Sequence, residues 1–185
     1  QTCALPILLL TLSLVVVLFS CKNELKEIDA LYSEEQTENE IVRDVEITYS
    51  DSGRVQSLIR APKIIRERED GKVIERFPLG VEAIFYDNDG LASSWLSAKK
   101  GVRDGQKDQI MVRDSVVLHN VERDTLRTSE LIWDEEEEMI YTDQFVKITN
   151  PREVIYSYGF RTNQNFTRYE VNQLKGRMVL DSFEF

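Results

Sequence analysis

The distribution of apolar and polar residues along the chain changes near residue 42. From Val42 onwards, short runs alternate between apolar and polar positions; Val45, Ile47 and Tyr49 begin the first run, and the turn sequence "DSG" ends it. Similar runs, separated by clusters of Asp, Asn and Gly, continue towards the C-terminus, and no long amphipathic helical pattern occurs after Ile41. The alternation therefore predicts an all-β domain of antiparallel strands over residues 42–185.

A nine-residue pattern recurs within this domain, with a large apolar residue first, Ala or Thr third and a large apolar residue seventh. The copies are "IRAPKIIRE" from Ile59, "LSAKKGVRD" from Leu96, "LRTSELIWD" from Leu126, "IYTDQFVKI" from Ile140 and "FRTNQNFTR" from Phe160. We interpret each copy as a strand that points its first and third residues inward, bends at the small residue and points inward again at the seventh. The uneven spacing of the copies favours a curved pair of sheets over a solenoid.

The N-terminal segment is apolar and uncharged up to "LFSC" at Leu18 to Cys21. This pattern is typical of a bacterial lipoprotein signal, so we expect residues 1–20 to be a signal peptide and Cys21 to carry the lipid. Residues 21–41 are polar and acidic, which predicts a tether. The alternative is an uncleaved transmembrane anchor, because the apolar run is almost long enough to span a bilayer. Both interpretations predict a membrane-tethered domain that faces an extracytoplasmic space.

Charge and cysteine content exclude several functions. The 185-residue chain has 23 basic and 33 acidic residues, a net charge of −10, which argues against nucleic acid or an anionic membrane surface as partner. With Cys3 in the signal and Cys21 acylated, the domain would contain no disulfide, no Cys metal site and no Cys nucleophile.

No residue pattern marks a catalytic or metal site. His119 is the only histidine, and a lone histidine on a strand is more often structural than catalytic. The acidic run Asp134 to Glu138 is typical of a solvated hairpin turn, and "DNDG" from Asp87 has turn chemistry of its own. Acidic pairs such as Glu67 and Asp70 are plentiful, but none stands out as a glycosidase pair. There is no phosphate-binding loop, so we expect the protein to consume no ATP itself. Since no candidate site stands out, we also expect no enzyme activity, no cofactor and no metal.

Three stretches together carry a resemblance to a known family. They are "VEAIFYDNDGLASSWLSAKK" from Val81, "DTLRTSELIWDEEEEMIYTDQFVKI" from Asp124 and "GFRTNQNFTRYEV" from Gly159, followed by Gly176. In this order, and behind a membrane-directed N-terminus, they resemble the LptC/LptA group of lipopolysaccharide-export proteins, and LptC in particular. LptC proteins are held by a transmembrane helix, so the predicted lipid anchor is a departure from the family.

The resemblance implies an open β-jellyroll, often called a β-taco, that holds lipopolysaccharide acyl chains in a groove and leaves the sugars outside. The residues expected to line the groove are Val45, Ile47, Tyr49, Ile59, Ile65, Ile84, Tyr86, Leu96, Val102, Leu126, Ile132, Ile140, Val146, Ile148, Phe160 and Phe166. The last strand, with Met178, Val179, Leu180 and Phe183, would pair with a partner strand or simply cover the core. Implied partners are lipopolysaccharide, the β-domains of the LptF/LptG-like inner-membrane transporter subunits and an LptA-like periplasmic protein. The protein would lie in the periplasm of a Gram-negative bacterium, anchored to the inner membrane.

Two other functions remain open on the sequence alone. A carbohydrate-binding or carbohydrate-processing jellyroll lipoprotein would present an exposed aromatic platform beside paired carboxylates, with Trp95 and Trp133 as the candidates. A structural lipoprotein would have a closed, filled core. For the export function we expect an apolar interior without buried charge.

Overall fold

The computed structural model describes residues 39–69 and 71–179, and all regular elements in these residues are β-strands. The strands are β1 (Glu40–Asp51), β2 (Arg54–Glu69), β3 (Lys72–Phe77), β4 (Val81–Tyr86), β5 (Ala92–Ala98), β6 (Lys100–Asp104), β7 (Gln109–Asn120), β8 (Thr125–Asp134), β9 (Met139–Thr149), β10 (Glu153–Asn163) and β11 (Tyr169–Val179). This confirms the all-β prediction. The predicted signal, Cys21, most of the tether, Asp70, Leu180 and Phe183 lie outside the described residues.

The strands form one antiparallel sheet that divides into two layers. Strand β2 pairs with β4 through residues 57–60 and with β3 through residues 65–69. Strand β7 repeats this arrangement, because residues 109–113 pair with β6 and residues 117–120 pair with β5. We call the layer with β4 and β5 the first layer and the layer with β3 and β6 the second. The long strands β1, β2 and β7–β11 run through both, and the result is the expected β-jellyroll.

The long strands bend where they pass from one layer to the other. Non-glycine residues with positive φ mark this bend at Asp44 in β1 and at Asp114 and Ser115 in β7. Pairing registers shift there as well, between Thr128 and Ile132 in β8 and between Tyr158 and Phe160 in β10. Such bulges let a sheet fold over sharply while both halves stay hydrogen-bonded. Ala61, Ala98, Thr128 and Thr142, four of the five small residues predicted at corners, lie at or beside the bend. The fifth prediction, Thr162, is wrong, because β10 bends at Gly159 and Thr162 pairs regularly with Ile140.

Gly159 allows β10 to bend against its neighbour. Its φ of +77° is unfavourable for residues with a Cβ, and an added Cβ would lie 2.9 Å from Asn172 Cβ and 2.5 Å from Asn172 Nδ2. We expect Gly159→Ala to lower the free energy of unfolding by about 2 kcal/mol, measured by urea denaturation. The matched control is Gly53→Ala, where φ is +79° and no atom lies within 4 Å. Backbone strain alone should make that change about half as large; equal losses would contradict the role of the Asn172 contact.

The hydrophobic core lies between the two layers. Its largest fully buried side chains come from both, including Phe85 and Leu118 from the first layer and Phe77 and Leu131 from the second. Phe85 and Trp133 meet edge to face across the interior, with ring centroids 4.8 Å apart. The two layers therefore enclose a continuous apolar interior.

Candidate functional site

Most of the predicted groove residues face the space between the layers. Ile59, Leu96, Leu126, Ile140, Val146, Ile148, Phe160 and Phe166 are buried in the core, and Val45, Ile47 and Tyr49 of β1 are partly buried against it. They come from six strands and the β10–β11 loop, so the fold brings together residues far apart in sequence. The inner face is thus an apolar wall that β1 borders at one end of the sheet.

Five of the predicted residues lie on the outer face instead: Ile65, Ile84, Tyr86, Val102 and Ile132. In β4 the inward residues are Val81, Ala83 and Phe85, so strand alternation turns Ile84 and Tyr86 outward. In β2 and β8 the bend shifts the inward positions by one, so that Ile64 and Leu131 replace Ile65 and Ile132. The predicted return to the inner face at the seventh position holds only for the copies from Ile140 and Phe160.

Sequence analysis missed several inner residues, including Phe77, Phe85, Ile110, Val112, Leu118, Leu131 and Trp133. A signal for some of them was present in the sequence. The run "VEAIFY" alternates Val81, Ala83 and Phe85 with Glu82, and a charged residue at an even position argues that the odd positions face the interior.

We call the side of the molecule opposite the bend the mouth. Turns of the two layers meet there, and Ser93, Ser94 and Asn120 of the first layer contact residues 164–166 of the second. The β10–β11 loop of the second layer crosses the mouth to the first layer. Ser93 Oγ donates to Asn165 Oδ1 at 2.6 Å, Ser94 Oγ donates to the Gln164 carbonyl, and Asn120 Nδ2 donates to the Phe166 carbonyl at 2.8 Å. The loop therefore holds the two layers together at this point.

Phe166 anchors that loop inside the molecule. It has no exposed surface and contacts the Phe160 and Tyr169 rings, with centroids 5.7 Å away in each case. Its φ of +51° is rare for an aromatic residue and persists only where the surroundings determine the conformation. The sequence "YGFRTNQNFTRYEV" thus supplies both a strand and a buried ring that closes the interior.

A second contact across the mouth involves charged side chains. Tyr49 of the first layer lies beneath Arg103 of the second, with the guanidinium 5.6 Å from the ring centre. Arg103 binds Glu135 through two nitrogens, the shorter contact being 2.7 Å, and lies 3.5 Å from Glu75. Glu75 also accepts from Arg66 at 2.8 Å. The expectation of an interior without buried charge is wrong, since the side chains of Glu75 and Glu135 are only 8% and 10% exposed.

Burial and the nearby carboxylates shift the pKa values of Arg103 and Tyr49. The hydrogen bonds from Arg103 to Glu135 raise the pKa of Arg103 beyond its already high value. Burial, together with the nearby carboxylate of Glu135, raises the pKa of the Tyr49 hydroxyl well above its usual value. Tyr49 therefore stays neutral and Arg103 charged over the whole physiological pH range. The contact between the Tyr49 ring and the Arg103 guanidinium therefore keeps the same charge state over this range.

Three of the cavities bounded by the described residues border the interior. A cavity of about 670 Å³ opens at the bend, a gap of about 10 Å³ lies among seven apolar side chains of the core, and a cavity of about 180 Å³ lies at the mouth beside Tyr49 and Gln164. The described structure is therefore largely closed, with free space at both sides of its core.

The other candidate residues have structural surroundings. His119 stacks on Trp95 on the outer face, with ring centroids 5.0 Å apart. Asp87 and Asp134 accept backbone N–H groups within their own turns, which confirms the turn predictions. The prediction that the acidic run is solvated is wrong for Asp134 and Glu135, because both are largely buried. Among the described residues, no three His, Cys, Asp or Glu side chains are placed to hold a metal ion. Trp133 is 3% exposed, so it cannot serve as a surface platform for sugars.

Comparison with known proteins identifies the family. The family model described as lipopolysaccharide-assembly, LptC-related, matches residues 6–175, and no curated protein matches the chain. In the part of the chain that the structure describes, no helix is long and apolar enough to cross a membrane. LptC proteins are periplasmic, envelope-associated and non-enzymatic components of the lipopolysaccharide transport machinery. The chain belongs to the LptC family and acts in lipopolysaccharide export.

Proposed function

We propose that the acyl chains of lipopolysaccharide pass between the two layers while the sugars stay outside the mouth. The observation that carries this proposal is the apolar inner face, formed by one folded sheet and continuous through both layers. Each methylene transferred from water to such a surface contributes about 0.8 kcal/mol. Because the described interior is largely closed, the layers must separate at the mouth to admit cargo.

The two ends of the sheet supply the proposed contacts with other export proteins. Strand β1 pairs only with β2 and strand β11 only with β10 among the described residues, so each leaves one edge unpaired. Exposed apolar edges are normally protected, yet Leu174, Met178 and Val179 of β11 are all more than half exposed. We infer that β11 pairs with an LptA-like protein and β1 with the β-domains of the LptF/LptG-like transporter subunits, so that the inner faces join end to end.

The N-terminal segment supplies the proposed anchor. Lipid on Cys21, or an uncleaved apolar segment over residues 1–20, would hold the domain at the inner membrane. The acidic tether would set the domain off the membrane surface, where it can reach the transporter. Comparing the mature protein's mass with that of a Cys21→Ser variant would reveal the lipid.

Photo-crosslinking tests the path of the cargo. A benzophenone amino acid at Ile47, which is half-buried on the inner face, should form adducts with lipopolysaccharide during release by the transporter. The matched control is Thr48, the next residue, which is exposed on the outer face of the same strand. Adducts at Thr48 equal to those at Ile47, or adducts at Thr48 alone, would contradict passage between the layers.

A further inference from the structure

Neighbouring cavities of the interior share lining side chains. Val81 lines both the cavity at the bend and the gap in the core, and Trp133 lines both that gap and the cavity at the mouth. The cavities therefore lie on one line across the interior, from the bend to the mouth, with the side chains of Val81 and Trp133 between them.

The side chains along this line suit a hydrocarbon chain. The gap in the core is lined only by Ile59, Val81, Ala83, Leu96, Ile110, Val112 and Trp133. At the bend, the inward-facing residues that line the cavity are Val45, Ala61, Val81 and Ala98, whereas its outer part is lined by charged residues: Asp44, Glu46, Arg60, Glu82 and Lys99. The alanines leave room where larger residues would fill the interior. The apolar side chains that separate the cavities suit one acyl chain, which could displace them, and not a sugar.

Trp133 lies where the lining of the cavities changes from apolar to polar residues. On its mouth side, the cavity also contacts Tyr49, Ser57, Glu135 and Gln164. Phe85 and Tyr49 fix the indole ring through edge-to-face contacts at 4.8 and 6.2 Å. The Nε1–H of Trp133 is buried and has no hydrogen-bond partner among the described residues. An indole nitrogen can only donate, and a buried donor without a partner is unusual in a native structure.

We propose that one acyl chain of lipopolysaccharide lies along this line, with its methyl end towards the bend, and that Trp133 Nε1–H donates to the carbonyl oxygen at the chain's head. This assignment rests on the proposed passage of acyl chains between the layers. The chain widens the gap by displacing Val81 and Leu96, and the carbonyl satisfies the buried donor. Trp133 thereby sets how deep the chain enters.

The indole resonance of Trp133 gives the most direct test. The chain has two tryptophans, so spectra of the full-length protein labelled with ¹⁵N-tryptophan contain two indole N–H signals, which Trp133→Phe assigns. We expect purified lipid A to move the Trp133 signal in the direction of a stronger hydrogen bond. The Trp95 signal, from the ring stacked on His119 on the outer face, should not move.

Two probes separate this inference from the proposed function. Trp133→Phe should weaken lipid A binding about five- to tenfold, whereas Trp95→Phe should leave it unchanged. An ether-linked lipid A analogue without acyl carbonyls should bind the unmodified chain and the Trp133→Phe variant equally. If Ile47 crosslinks to lipopolysaccharide but the Trp133 signal stays in place, the Trp133 assignment is overturned and passage between the layers stands. Absence of inner-face adducts would overturn both.

Discussion

Arg103→Met is expected to lower the free energy of unfolding by about 4 kcal/mol. The substitution keeps an unbranched side chain over Tyr49 but removes the guanidinium that binds Glu135. Glu135 and Glu75 are almost completely buried, and a buried carboxylate without its partner is far more costly than an exposed one. Urea denaturation followed by tryptophan fluorescence measures the change.

Two further variants isolate the cause of that loss. Arg60→Met removes the ion pair between Arg60 and Glu46, which has a similar distance of 2.9 Å. Both of these side chains are more than half exposed, so we expect the free energy of unfolding to change by less than about 1 kcal/mol. Adding Glu135→Gln to Arg103→Met should restore part of the stability, because it removes the uncompensated charge. Equal losses for Arg60→Met and Arg103→Met would show that the contact across the mouth is not buried in solution.

The sequence predicted the strand content and the existence of corners, because both depend on local patterns. Alternation in the run around Val45, Ile47 and Tyr49 identifies β1 and its inward face correctly. The small residues of the repeat, such as Thr128 and Thr142, also lie where strands bend. These features require only the period of a strand and the steric demands of a close backbone approach.

The face of a residue beyond a corner was not predictable from the repeat. If a bend contains one additional residue, every position after it faces the opposite side of the sheet. The nine-residue pattern does not reveal how many residues each bend contains. Ile132 and Val146 occupy the same place in their repeats, yet the first faces outward and the second is buried. For this reason Ile132 is unsuitable as a crosslinking position inside the groove.

Contacts across the mouth also could not be predicted from the sequence. Ser93 and Asn165 are 72 residues apart, and neither lies in a pattern that predicts a partner. The same holds for Tyr49 and Trp133, which come from opposite layers. Such contacts depend on how far one layer rotates over the other, which is a property of the whole sheet.

Locking the mouth tests most directly whether cargo passes between the layers. Cysteines replace Ser93 and Asn165, whose side chains meet across the mouth, and a short bis-methanethiosulfonate reagent, which reductant removes, links them. The control links cysteines at His119 and Thr125, a cross-strand pair within the first layer, and each single-cysteine variant controls for reaction with Cys21.

The readout is transfer of lipopolysaccharide from the transporter to an LptA-like acceptor. We predict that the Ser93–Asn165 link reduces transfer to background and that reductant restores it, while the His119–Thr125 link has no effect. Full transfer through the locked protein would contradict the account, because the acyl chains would then have to travel outside the two layers.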